Sequence, residues 1–203
     1  MTVHVVAYGS GNIRSIVGAF ERIGVAAIAQ PSPEGIASAS HVLLPGVGAF
    51  ADAMERLVRT GWAEAIRQHV VAGRQLLGIC LGMQLLASVG TEGGPTTGLN
   101  LIPGQVVHLT EASESVRVPH VGWNDVAVSH PTCILDGVPP ETNFYFSHSY
   151  ILRPDDNRCI IGTVEYGTSI VAAVEEGTVA GVQFHPEKSS RAGLRVLKNF
   201  ARS

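Results

Sequence analysis

The sequence predicts an α/β fold: a mostly parallel central sheet with helices on both faces and antiparallel strands added in the C-terminal half. Three observations carry this. Short apolar runs alternate with amphipathic helical patterns from the N-terminus to about Leu86. Glycine or proline stands at most of the junctions between them. Beyond about Leu101, strand-like pieces follow one another directly and end in a hairpin and one helix. Strands separated by helices pair in parallel and are covered on both faces, whereas consecutive strands pair antiparallel through tight turns.

His4–Ala7 reads as the first strand, closed by Tyr8-Gly9-Ser10-Gly11. Ile13, Ile16, Val17, Phe20 and Ile23 share one helical face, and Gly24 stops that helix. Val25–Ala29 is the second strand. Ser32-Pro33-Glu34 reads as an N-cap with proline at the first helical position, so a short helix is expected. His41–Leu44 is a third strand that runs into Pro45-Gly46-Val47-Gly48. Phe50, Met54, Leu57 and Val58 line the next helix, ended by Gly61, and Trp62, Ile66 and Val70 line another before Gly73. Gln75–Ile79 is a fourth strand, entering Cys80 and a helical run through Leu81, Leu85 and Leu86. Further on, Val106–Leu109, Val126–Val128, Phe144–Phe146 and Ile160–Val164 read as strands. Ser169–Val174 and Val179–Phe184 form a hairpin across Glu175-Glu176-Gly177-Thr178. A last helix, capped near Ser189, buries Leu194, Leu197 and Phe200. No linker or repeat interrupts the chain, and a single domain over residues 1–203 is expected.

Composition narrows the function. With 203 residues, 45% of them apolar and only 15% charged, the chain can bury a substantial core, and intrinsic disorder is excluded. A mean hydropathy of +0.23 hints at apolar surface covered by another protein. Net charge is −3, and no basic run points to nucleic acid or a membrane surface. No stretch approaches the ~18 unbroken apolar residues of a membrane span, and the N-terminus lacks a signal peptide's basic start. The cysteines, Cys80, Cys133 and Cys159, are odd in number and far apart, which points to a reducing compartment and to the cytoplasm.

Gly78-Ile79-Cys80-Leu81-Gly82 is the sharpest local signal. A strand ends, a nucleophile follows and a helix begins, with glycine two positions to either side: a nucleophile elbow with cysteine in place of serine. A lone cysteine is more often a small core residue, but the glycine framing reverses that reading. A helix N-terminus there would activate the thiol and aim free N–H groups at a developing oxyanion. A cysteine nucleophile needs a base, and the base an orienting group. His185-Pro186-Glu187 supplies both: in an extended segment His185 and Glu187 point the same way, and Pro186 holds His185 extended. Pro45-Gly46-Val47-Gly48 follows the neighbouring strand, where glycine-rich backbone offers a second oxyanion donor, a hold for the substrate's α-amino and carboxylate groups, or a simple turn.

Other motifs fall away. Tyr8-Gly9-Ser10-Gly11-Asn12 is not a dinucleotide loop, because Arg14 stands where the third glycine belongs and the second strand ends at Gln30 rather than at an acidic residue. His108, His120, His130 and His148 lack tight metal-ligand spacing, so neither a metal nor a cofactor is expected.

With these pieces assembled, the chain resembles the triad (class I) glutamine amidotransferases, and among them the glutaminase subunits that serve imidazole glycerol phosphate synthesis in histidine biosynthesis. The segments Tyr8–Asn12, Leu44–Phe50, Gly78–Leu86, Val118–Asn124, Tyr145–Tyr150 and Gly181–Ser189 carry the likeness in the family's order across nearly the whole chain. The resemblance implies a flavodoxin-like amidotransferase fold. It implies a Cys80–His185–Glu187 triad, oxyanion donors at Leu81 and Val47, and glutamine held by Gly48, Gln84, Ser149 and Tyr150. It also implies a TIM-barrel cyclase partner facing Asn12, Trp123, Tyr145 and Lys188. Three positions depart from the family pattern: Ala7 replaces an aspartate, Ser10 a methionine or proline, and Ser147 a valine. None belongs to the triad; they bear on partner contacts and regulation. The alternatives are a glutaminase serving another synthase, a stand-alone cysteine hydrolase and a non-catalytic binding subunit.

Overall fold

The computed structural model describes residues 1–113, 116–129, 132–140 and 142–203; His130, weighed above as a metal ligand, lies outside the described residues. The first half alternates as the periodicity requires: β1 (Thr2–Val6), α1 (Ile13–Arg22), β2 (Ala26–Gln30), β3 (His41–Leu44), α2 (Phe50–Arg59), α3 (Trp62–Val71), β4 (Gln75–Ile79) and α4 (Leu81–Gln84). The short helix expected after Ser32 is a 3₁₀ turn, Pro33–Ile36, and the Ser32 side chain makes no capping bond.

The second half holds β5 (Val89–Gly90), β6 (Thr96–Thr97), β7 (Gly104–His108), β8 (His120–Val128), β9 (Thr142–His148), β10 (Tyr150–Pro154), β11 (Ile160–Glu165), β12 (Ser169–Glu176), β13 (Val179–Val182) and α5 (Ser190–Phe200). β8 is far longer than the segment expected from Val126, because Val121 and Trp123 are exposed and blur the alternation that marks a strand. Ser189 precedes α5 but does not cap it through its side chain. Its hydroxyl instead donates to the His185 carbonyl at 2.6 Å and accepts the Tyr145 N–H at 3.0 Å.

Among the described residues, nine strands form one sheet in the order β2-β1-β3-β4-β13-β12-β11-β8-β9. From β2 to β13 the ladders are parallel; from β13 to β9 they are antiparallel. A smaller sheet, β10-β7-β5-β6, was not foreseen, since β5 and β6 are two residues each and too short to show a period. Period-two alternation sends neighbouring strand residues to opposite layers. Val3, Val5 and Leu43 pack with Phe20 of α1 and Leu197 and Phe200 of α5. Val42, Leu44 and Leu76 pack with Phe50 and Met54 of α2 and Trp62 and Ile66 of α3. No described helix is long and apolar enough to cross a membrane.

The placement of β13 positions the site. This late strand runs parallel to β4, with Gly181 opposite Gly78 and Val182 opposite Ile79. The carboxyl ends of β3, β4 and β13 therefore come together, and with them Pro45, Cys80 and His185. Open α/β sheets bind ligands at this edge.

Candidate active site

Cys80 leaves β4 with φ 54° and ψ −112°, a left-handed conformation that a residue with a Cβ rarely adopts. The flanking glycines permit it. A Cβ on Gly78 would lie 2.6 Å from the Gly82 carbonyl oxygen, and one on Gly82 would lie 1.9 Å from that of Leu44. The Cys80 N–H is tied to Val182 O at 2.8 Å, fixing the elbow to β13. The helix that follows is shorter than the apolar run suggested. After α4 the bonding tightens to Leu86 N–H···Met83 O and Ala87 N–H···Gln84 O, so one turn remains and its dipole is small.

His185 is buried just beyond β13, its N–H donating to Tyr145 O at 2.8 Å. Its Nδ1 lies 2.9 Å from Glu187 Oε1. The backbone route is not the extended one expected. His185 is extended, but Pro186–Lys188 is a 3₁₀ turn that swings the Glu187 carboxylate back under the ring. Burial pushes the His185 pKa down, but hydrogen bonds that the ring donates to Cys80 and Glu187, reinforced by their charges, outweigh it and raise it to about 9.

A cavity of about 370 Å³ opens over Cys80 and His185, and Val47, Gly48, Leu81, Gln84, Ser149 and Tyr150 all line it. Every expected catalytic, oxyanion and substrate position except Glu187 is thus on its wall; Glu187 sits behind His185. Gln84 Nε2 donates to Tyr150 O at 2.9 Å and to Gln183 Oε1 at 3.0 Å, and Gln183 Nε2 lies 3.8 Å from the Cys80 sulfur.

Two features went unforeseen. Glu92, between β5 and β6, lines the cavity and caps α2 by accepting the Phe50 N–H at 2.7 Å. Among the described lining residues it is the one carboxylate, and no local pattern marks it. His148, also on the wall, accepts or donates to His120 Nδ1 at 3.0 Å and holds Tyr150 O at 2.9 Å. These two histidines, judged unsuited to metal by spacing, form a buried pair. Burial lowers their pKa values to about 3 for His148 and about 4 for His120.

The Val47 backbone is engaged elsewhere than the cavity. Its N–H donates to Ser10 Oγ at 3.0 Å, and Ser10 Oγ donates to its carbonyl at 2.5 Å. Of the four positions expected to face a partner, three cluster beside the site. Trp123, half exposed, meets Tyr145 edge-on at 6.0 Å; Lys188 Nζ sits 5.3 Å over the Tyr145 ring; Tyr145 reaches to 6.3 Å of the His185 ring. Asn12 is exposed on another loop, where its side chain caps α1 through the Ser15 N–H.

A nucleophilic sulfur, a proton-bearing imidazole with a buried carboxylate behind it, and a polar cavity are suited to acyl transfer through a thioester. Residues 4–203 match the glutamine amidotransferase class-I family. The chain is 46% identical to the imidazole glycerol phosphate synthase subunit HisH of Moorella thermoacetica, over 98% of this chain and 93% of that protein. It is 44% identical to the HisH subunit of Chlorobaculum tepidum, over 98% of each. A solved glutamine amidotransferase superposes with a TM-score of 0.77 at 20% identity, covering 98% of this chain and 97% of that one. Thermotoga maritima PurLQS gives 0.75 at 19%, covering 99% and 97%. At such identities these solved structures establish the fold alone.

Proposed function

The chain belongs to the class-I glutamine amidotransferases and, within them, to the HisH subunits of imidazole glycerol phosphate synthase, and from that premise we propose that it hydrolyses glutamine and hands the ammonia to a cyclase partner. The observation that carries the reading is the meeting of Cys80, His185 and Glu187 at one sheet edge under a cavity of amino-acid size.

The Cys80 sulfur attacks the side-chain amide carbon of glutamine beside a His185 ring that already holds the proton. The oxyanion is held by the Leu81 N–H and by one N–H of the Val47–Gly48 segment. Collapse breaks the C–N bond as His185 gives its proton to the departing ammonia, leaving a thioester. His185 then takes a proton from water, the hydroxide adds to the thioester, glutamate leaves, and the thiolate is restored beside the protonated ring. Glu187 orients His185 and balances its charge. Glu92 receives the α-ammonium of glutamine, while Gly48, Gln84, Ser149 and Tyr150 hold the rest of the substrate. Ammonia continues through a TIM-barrel cyclase docked over Asn12, Trp123, Tyr145 and Lys188, in the cytoplasm; the joint products are imidazole glycerol phosphate, an aminoimidazole carboxamide ribotide and glutamate.

The test is glutamate release from glutamine by the purified chain, alone and with the cyclase and its nucleotide ligand. A rise confined to the full mixture is expected. Equal turnover without the partner would favour a free-standing hydrolase, and none in either would refute the glutaminase assignment.

A further inference from the structure

We propose that His120 and His148 form an ordered pair of neutral rings that holds the Tyr150 peptide, and with it the Ser149–Tyr150 wall of the glutamine site, in its binding position. Both are positioning residues. This rests on the glutaminase reading above and deepens it. The proton positions follow from the partners. His148 Nδ1 lies 2.9 Å from Tyr150 O, and a carbonyl oxygen only accepts, so Nδ1 carries a proton. His148 Nε2 lies 3.0 Å from His120 Nδ1, and a contact between two ring nitrogens needs one donor and one acceptor. Both rings are buried, with 6% of His148 and 2% of His120 exposed, which disfavours a charge on either. A neutral His148 already protonated at Nδ1 must accept at Nε2, so His120 donates from Nδ1. Hydrogen bonding therefore runs in one direction, from His120 through His148 to Tyr150 O.

The surroundings explain why the wall uses two rings. The Tyr150 carbonyl also accepts Gln84 Nε2 at 2.9 Å, so donors from α4 and from β9 converge on one peptide. The His148 side chain reaches across Ser149 to make its bond, and His148, Ser149 and Tyr150 all line the cavity together with the protonated His185. A cationic His148 would donate to Tyr150 equally well. It would also set a second positive charge against His185 and weaken the hold on the catalytic proton, since the charges of these two rings oppose each other. A neutral ring avoids that conflict but leaves a buried lone pair at Nε2, which is destabilising unless a donor meets it. His120 supplies the donor from the position opposite His148 in the β8–β9 ladder. Its ring plane is set by stacking on Phe146, with centroids 4.7 Å apart and 19° between planes, and on Tyr166, at 4.1 Å and 26°. Tyr166 is itself anchored by donating its hydroxyl to Arg117 O at 2.8 Å. With the donor removed, His148 escapes its unmet lone pair only by turning, and in turning it lets go of Tyr150 O.

The experiment compares wild type, His120→Phe and His120→Asn as full-length chains in the cyclase complex. Phenylalanine keeps the aromatic stack and removes the donor, whereas asparagine returns an amide N–H close to where Nδ1 stands. His120→Phe is expected to raise KM for glutamine about tenfold, the effect of losing one hydrogen bond. Its kcat is expected to stay within about threefold, because the substrate wall loosens and the reacting groups do not. His120→Asn is expected to bring KM back to within about threefold of wild type. Nitrogen NMR on histidine-labelled chain reads the pair directly. In wild type near neutral pH, His148 is expected to be protonated at Nδ1 and bare at Nε2, and its ring proton is expected to exchange faster with water in His120→Phe. A wild-type His148 protonated at Nε2, or at both nitrogens, overturns the proposal even where His120→Phe fails to fold. A folded His120→Phe with wild-type KM overturns it too, as does a folded His120→Asn no better than His120→Phe. A wild-type complex that releases no glutamate overturns the glutaminase reading instead, and the position of the His148 proton then still decides whether the pair holds Tyr150.

Discussion

Glu187 gives one carboxylate oxygen, Oε1, to His185 Nδ1 at 2.9 Å and buries the other, Oε2, with no hydrogen-bond partner among the described residues. A carboxylate satisfied on one side only is costly to bury, and the compensation here is the charge it stabilises on the ring. Glu187→Gln keeps the shape and an acceptor but removes that charge. We expect kcat for glutamine hydrolysis, measured in the cyclase complex, to fall by about 10²–10⁴, with KM little changed. A kcat within about threefold of wild type would show that His185 does not depend on Glu187 for its proton.

Glu92 is expected to read the α-ammonium group. Glu92→Gln still accepts the Phe50 N–H that caps α2 but offers glutamine no charge. A hydrogen bond to a charged group contributes about 1.5–3 kcal/mol, so KM should rise by about tenfold to a hundredfold while kcat changes little. Comparing glutamine with an analogue lacking the α-amino group checks the cause. If the variant loses as much on the analogue as on glutamine, Glu92 acts through the fold and not through the ammonium.

The elbow at Cys80 and the pairing of His185 with Glu187 were legible in the sequence because those parts are local. Gly78 and Gly82 flank Cys80 within five residues, and His185 and Glu187 are two apart. What was not legible depends on distance in the chain. Glu92 reaches the cavity only because β5 pairs with β7 and carries the loop over α2. His120 and His148 meet only because β8 and β9 pair in the register that sets them opposite each other. Ser10 stood out as a departure from a family pattern, yet its contact with Val47 spans 37 positions and left no trace in the sequence around either residue. The small sheet was illegible for another reason: two-residue strands have no periodicity to read.

Trp123 is about half exposed beside an exposed Val121 on β8, opposite Tyr145 of β9, over whose ring Lys188 sits. A large aromatic next to a catalytic mouth is the kind of side chain that anchors a partner. Trp123→Ala should weaken cyclase binding by at least about tenfold, read by titration calorimetry or analytical ultracentrifugation. Unchanged affinity in a folded variant would move the docking surface away from β8.

Stability should peak near pH 6.5 and fall on both sides, for opposite reasons. His185 keeps its proton in the folded chain up to about 9 but loses it near 6.5 when unfolded, so its contribution is complete below 6.5 and vanishes as pH rises through 9. His120 and His148 are neutral in the folded chain down to about 4 and about 3, whereas unfolded they charge near 6.5. Their contribution is complete above 6.5 and is lost as pH falls toward those values. One such group changes stability by at most about 1.4 kcal/mol per pH unit. Denaturant unfolding across pH 4–9.5 should therefore give a dome whose alkaline limb flattens in Glu187→Gln and whose acid limb flattens in His148→Gln. Two limbs that respond to neither substitution would mean that other groups govern the profile, and that the raised His185 and the lowered histidine pair do not exist in the folded chain.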